Sequence, residues 1–322
     1  MATTYDMIII GAGTAGLSAA QYAGRSNLTV LVIEGKSEGG QAILIDQLEN
    51  YPGIAEPVSG YDFIENMKAQ AVRFGAEFVT GQVIGLGKKD GMFMVTLDPE
   101  GGEQRLYESR TVLLATGATH RHLDVPGEET YYGRGVSYCA TCDGPFFRGK
   151  HIVVVGGGDA ACDEAAFLAR LTDKVTMIHR KSEFRAQKAL AQRTLHNPHI
   201  TVRFNTVVTE ISGSEGAGGK VTGVRLKDTN TGSEELLPCD AVFIFVGMIP
   251  QTDLAQLAKK DEAGYIITDE EMHTSINGLF AAGDIRSKSF RQIITAAADG
   301  AIAAHSAATC IDEQSCDAFC GV

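Results

Sequence analysis

Two cysteines with two residues between them, Cys139 and Cys142 in the string Cys-Ala-Thr-Cys, are followed at once by Asp143. A C-x-x-C pair brings two thiols within bonding reach and lowers the pKa of one of them. Three uses compete. A structural zinc site needs about four ligands, and no second C-x-x-C or C-x-x-H pair is present, although Cys316 and Cys320 near the C-terminus supply two further thiols; no metal is expected. A structural crosslink closing so short a loop returns little entropy. Seven cysteines, an odd number spread through a large chain, do not suit a secreted disulfide framework. A dithiol that cycles with its disulfide fits best, with Asp143 placed to exchange a proton with a departing thiolate or, more plainly, to cap the turn. Cys162, Cys239 and Cys310 read as buried filler, and the Cys316/Cys320 tail as inert or as an auxiliary pair.

The pair lies between two glycine turns of one pattern. Residues 5–10 (YDMIII) form an apolar strand running into Gly11, Gly13 and Gly16, then a helical stretch and a strand ending at Glu34. Residues 151–155 (HIVVV) run in the same way into Gly156, Gly158 and Ala161, with the following strand ending at His179. In such a motif the first glycine makes the turn and the second admits a pyrophosphate close to the backbone. The third position lets the helix pack on the strand, its N-terminus facing the phosphates. One copy is weak evidence, because a tight βα turn needs no ligand; two copies in register are harder to explain without one. The copies differ at one position. Glu34 and His179 each follow the first glycine by 23 residues. A carboxylate there suits ribose hydroxyls, whereas His179, Arg180, Lys181 and Arg185 supply cations that would hold a 2′-phosphate. The first turn is therefore predicted to bind FAD or another cofactor with an unphosphorylated adenosine ribose, and the second NADP(H); a solvated basic face is the plainer reading of the cluster.

These residues need a frame. Residues 111–117 (TVLLATG) and 241–247 (AVFIFVG) are matching apolar strands closed by glycine, one on each side of the second unit. Residues 278–284 (GLFAAGD) form another strand and turn ahead of an alanine-rich helix. That last strand requires a sheet to join, and the first unit is short of strands. The expected fold is α/β, with two Rossmann-like dinucleotide-binding domains, the NADP(H) domain (118–245) inserted into a discontinuous FAD domain (1–117 and 246–322). Gly117 and Gly247 are the natural hinges. Phe63, Met67, Ala71 and Phe74 repeat at helical spacing and are expected in a core. The 37 glycines among 322 residues exceed the usual ~7% without any Gly-X-Y repeat, so they belong at turns that exclude a Cβ. A net charge of −12 argues against a general nucleic-acid binder. No run approaches the ~20 apolar residues of a membrane span, and the first residues lack a signal-peptide pattern; a soluble cytoplasmic protein is expected.

FAD-type turn, NADP-type turn and the intervening Cys-Ala-Thr-Cys-Asp together resemble the low-molecular-weight bacterial thioredoxin reductases, over residues 5 to about 310. Gly39-Gly40-Gln41, Glu49-Asn50-Tyr51-Pro52-Gly53, His179-Arg180-Lys181 with Arg185, Gly283-Asp284 and Arg291-Gln292-Ile293-Ile294 add to the resemblance. It implies FAD contacts from Glu34, Gly40, Gln41, Asn50, Asp284, Arg291, Gln292 and Ile293, and NADPH contacts from Gly156 to Ala161 and the basic cluster. It further implies a redox-active Cys139–Cys142 disulfide with Cys142 facing the flavin, a homodimer, and thioredoxin as the protein substrate. Ala160 stands where the family usually has Ser or Thr, and Lys181 where it usually has Arg, which weakens the expected preference for NADPH over NADH. Two other outcomes stay open: a flavoprotein with a different donor (NADH, ferredoxin) or acceptor (a peroxidase, oxygen), and a non-catalytic redox sensor.

Overall fold

The computed structural model describes residues 3–35, 39–45, 48–99, 102–214, 216 and 218–313. The chain divides into two compact units: one runs to Thr119 and resumes at Ile249, the other is His120–Met248. The crossings fall two and three residues beyond the boundaries read from the sequence. Near them Gly117 (φ 70°) and Gly247 (φ 120°) hold left-handed backbone.

In chain order the first unit opens with β1 (Thr3–Ile10), α1 (Thr14–Arg25), β2 (Val30–Glu34) and α2 (Gly60–Arg73). Strands β3 (Glu77–Thr80), β4 (Gln82–Lys89), β5 (Met92–Asp98), β6 (Arg105–Leu114) and β7 (Ala118–His120) follow. The second unit contains β8 (Val136–Ser137), α3 (Ala140–Asp143), β9 (Ile152–Gly156), α4 (Asp159–Leu168), β10 (Val175–Ile178) and α5 (Lys188–Leu195). It continues with β11 (Ile200–Arg203), β12 (Thr206–Gly213), β13 (Val221–Asp228), β14 (Glu234–Pro238) and β15 (Ala241–Phe245). The chain then returns through β16 (Met248–Pro250) to β17 (Leu279–Ala281) and α6 (Ile293–Asp312).

The first unit is built on a sheet ordered β3-β2-β1-β6-β5-β4, with β17 also on β6. Strand β6 pairs parallel with β1 on one edge and serves two neighbours on the other: residues 105–109 pair antiparallel with β5, and residues 112–114 pair parallel with β17. The returning segment therefore completes the parallel part of this sheet. Strand β1 is apolar without alternation because both its faces are covered. Ile9 packs with α1 and α6, while Ile8 and Ile10 pack toward Phe93, Val95 and Leu97. Helix α2 buries Phe63 and Ala71, with Met67 packed partly against the same core. In the second unit the parallel order β11-β10-β9-β15-β8 repeats the arrangement, and β12-β13-β14 form a separate antiparallel sheet. Among the described residues no helix is long and apolar enough to cross a membrane.

The two motif helices begin at Thr14 and Asp159. Gly13 and Gly158 are extended N-cap residues, so the third motif position already lies on the first helical turn. Helix α6 runs close to α1. Ser18 Oγ donates to the Ala297 carbonyl at 2.7 Å, and a Cβ on Gly300 would stand 2.0 Å from the Ala15 carbonyl oxygen. Alanine is ordinarily favoured over glycine inside a helix by ~1 kcal/mol. Gly300→Ala should instead destabilise the first unit by about 1–3 kcal/mol, the usual cost of overpacking. Urea unfolding of the variant and the parent measures the difference; a variant as stable as the parent would mean the two helices are not in backbone contact.

Candidate functional site

Three sites emerge from these elements. The first is a cleft of about 620 Å³ at the carboxyl ends of β1, β2, β6 and β17, where sheet order reverses around β1 and such folds bind their ligands. Gly11 (φ 106°) makes the turn, and a Cβ there would collide with the Ala115 carbonyl. Gly16 does not line the cleft; it packs the helix on the turn, its Cα so near that a Cβ would lie 1.9 Å from the Gly11 carbonyl oxygen. At Gly13 a Cβ would meet nothing within 4 Å, so the backbone there is open to a ligand. Glu34 Oε2 accepts the Ala12 N–H at 2.8 Å, which holds the carboxylate beside the turn. Gly40, Gln41, Asp284, Gln292 and Ile293 line the same cleft, as does Thr116 at the end of the 111–117 strand, and so do Thr119 and Gln251, which carried no motif signal. Asn50 stands outside the lining but donates to Gln292 Oε1 at 3.2 Å. Arg291 is also outside it, its guanidinium 4.0 Å over the Tyr265 ring.

The second site is the turn after β9. A Cβ on Gly156 would strike the Phe245 carbonyl and Ala161, and one on Gly157 would lie 2.2 Å from His179 Nδ1; around Gly158 there is open space. His179 is buried against Phe184 and Phe204. Burial foremost, with Arg185, Arg180 and Lys181 adding to it, lowers its pKa against the opposing hydrogen bond at Glu183. It is therefore neutral at pH 7 and forms the floor of the turn. Arg180, Lys181 and Arg185 are exposed around it, and the Arg185 N–H is tied to the Gly157 carbonyl at 2.7 Å. Three exposed cations beside an open helix N-terminus suit an anionic ligand.

The third site is the cysteine pair, disulfide-bonded with 5.3 Å between Cα atoms. Cys139 caps the short helix α3, its Sγ accepting the Cys142 N–H at 3.2 Å. Buried Ser137 donates to Asp143 Oδ2 at 2.5 Å and accepts the Cys139 N–H. One residue before the pair, Tyr138 donates to Glu128 at 2.6 Å and lies 2.9 Å from His122 Nδ1; burial and this carboxylate push its phenol pKa up. Neither Ser137 nor Tyr138 could be found by motif, because their partners are brought to them by the fold. Cys162 and Cys239 are free and buried. Cys310 is buried in the core as expected but is disulfide-bonded, so it is more than filler. Cys316 and Cys320 lie outside the described residues.

The chain matches the family model described as pyridine nucleotide-disulphide oxidoreductase over residues 5–300. It is 59% identical over 312 residues to a protein of Treponema pallidum named thioredoxin reductase, covering 97% of this chain and 99% of that protein. It is 44% identical to a protein of the same name from Listeria monocytogenes, over 96% of this chain and 94% of that one. Among solved structures, thioredoxin reductase from Streptococcus pyogenes superposes with a TM-score of 0.88 at 42% identity, covering 97% of this chain and 100% of that one.

One buried group near the second turn gives a pH test. Glu164, on α4, is pushed up to about 7 from 4.5, first by burial and then by Asp163, and its Oε2 is buried without a hydrogen-bond partner. An acid whose folded pKa exceeds its unfolded one destabilises the fold once pH rises through that window. Glu164→Gln should therefore raise the urea midpoint at pH 8 and leave it nearly unchanged at pH 4.5. Equal effects at the two pH values would show that burial of the charge is not the cause.

Proposed function

Because the chain belongs to the pyridine nucleotide-disulphide oxidoreductase family, we propose that it is an NADPH-dependent thioredoxin reductase, acting as a homodimer in the cytoplasm. The observation that carries this reading is the Cys139–Cys142 disulfide in a chain whose two glycine turns end in opposite charge. Relatives named thioredoxin reductase over nearly the whole chain support the same substrate.

The first cleft suits FAD: Gly13 is open, Glu34 offers a carboxylate to ribose hydroxyls, and Asp284 Oδ1 is buried without a hydrogen-bond partner. The second turn suits NADPH: the exposed Arg180, Lys181 and Arg185 would hold a 2′-phosphate, and the open backbone at Gly158 would admit the pyrophosphate. FAD, when bound, carries hydride chemistry between the nicotinamide and the disulfide. Two electrons and two protons convert Cys139–Cys142 to two thiols. A thiolate of the pair then attacks one sulfur of the thioredoxin disulfide, releasing the other as a thiol and forming a mixed disulfide. The second cysteine displaces the partner and restores the Cys139–Cys142 bond. The Cys142 N–H directed at Cys139 Sγ favours the anion at Cys139. Asp143, oriented by Ser137, serves as the proton carrier.

Anaerobic titration of the yellow protein with NADPH or NADH, followed by oxidised thioredoxin, tests the path. NADPH should bleach the flavin band at lower concentration than NADH, by a narrower margin than two arginines would give, and thioredoxin should restore the colour. Cys142→Ser should still bleach yet lose all thioredoxin reduction. No bleaching with either nucleotide, or bleaching without onward transfer, would overturn the assignment.

A further inference from the structure

Behind the first cleft lies a buried charge cluster that no sequence motif announces. Asp299, on α6, accepts three donors: the Gly283 N–H at 3.1 Å, Arg286 Nη1 at 2.8 Å and Lys288 Nζ at 3.1 Å. The side chains of Asp299, Arg286 and Lys288 are only 10%, 13% and 10% exposed. Lys288 Nζ also stands 3.4 Å from Asp284 Oδ1, an ion-pair distance without hydrogen-bond geometry. Asp284 lines the cleft. Arg286 is fixed on its other edge by Thr268 Oγ1 at 2.9 Å.

We propose that Asp299 and Lys288 are positioning residues that hold the Asp284 carboxylate, as an anionic acceptor, toward a hydroxyl-bearing segment of the dinucleotide in the cleft. The proposal rests on the reading of that cleft as an FAD site. Its physical basis is desolvation. Burying an ion without a partner is strongly unfavourable, and a carboxylate left alone in this cleft would take up a proton and become a donor where an acceptor is needed. Lys288 opposes that, yet a lysine on a flexible stem has no fixed direction. Asp299 supplies the direction: it pins Nζ between the two carboxylates, while its second oxygen is held by Arg286. The groups acting on Asp284 are Lys288 and Arg291, which favour its anion, Asp299, which opposes it, and the Tyr265 phenol. Burial is the largest influence and raises its pKa, so removal of Lys288 leaves that rise weakly opposed. The cluster also ties the loop bearing Asp284 to α6, the helix that crosses α1 at Gly300. Asp284 is thereby placed relative to the glycine turn by two side chains and not by its loop alone.

The test is FAD retention by the holoprotein, read as flavin fluorescence released on dilution between pH 5.5 and 8.5. Lys288→Met should weaken FAD binding by about tenfold or more, as expected for loss of a charge-assisted contact, and most strongly at the acid end. Lys288→Arg should restore most of it, and Asp299→Asn should fall between. In an Asp284→Asn background Lys288→Met should change FAD binding less than about twofold, because coupled sites lose their interaction when one partner is gone. A pH-independent loss, or an equal loss in both backgrounds, would mean that Lys288 only supports the fold and would overturn the proposal. Parent protein that binds no FAD at any pH would overturn the reading of the cleft itself, whereas parent protein that binds FAD alongside an unaffected Lys288→Met would overturn only the positioning role.

Discussion

Everything built around the first cleft depends on how closely a helix can approach the turn that starts it. Gly16 sits against the Gly11 carbonyl at a distance that leaves no room for a Cβ. The N-terminus of α1 is thereby brought to the carboxyl edge of the sheet, where its free N–H groups and partial positive charge face outward. Gly300 makes the same kind of contact on the far side of α1, so α6 is seated against α1 and its own N-terminal residues, Gln292 and Ile293, reach the cleft. Two backbone approaches, each requiring a glycine, thus set where α1 and α6 meet one site.

The second unit uses a looser version of this geometry and a different charge. Ala161 takes the place of Gly16, and the ring of His179 fills the space under Gly157. Burial leaves that ring neutral, so its part is steric, and the exposed Arg180, Lys181 and Arg185 are the charged elements. The first cleft reverses the arrangement, with Glu34 anchored by a backbone N–H and the cations Arg286 and Lys288 buried behind the lining. An exposed cation can reach for an anionic ligand and release it; a buried one serves mainly to hold another protein group, because moving it would strand a desolvated charge.

Much of this was legible in the residues. The glycine turns, the register of Glu34 and His179, the cysteine pair and the need for β17 to join another sheet all follow from local pattern and from counting strands. The Ala-rich helix was visible too, but its reason was not: Gly300 reads as a weak point in a helix until Ala15 is found opposite it. Arg286, Lys288 and Asp299 carry no motif of their own, since nothing in sequence says that they meet. Ser137 is silent for the same reason, its partner Asp143 being brought round by one turn of α3. Arg291 and Asn50 were legible as part of a motif, but stand behind or beside the lining.

By itself, then, the sequence determined the periodic and the short-range: which segments are strands buried on both faces, where a turn must lack a Cβ, and which residue ends each second strand. These depend on neighbours within a few residues, and so are written in order along the chain. The tertiary structure alone decided which distant groups share a desolvated space. Asp299 and Asp284 are fifteen residues apart, and Gly300 and Ala15 are nearly a whole chain apart. Their interactions exist only because α6 folds back on α1, and the strength of each is set by the water that this packing removes.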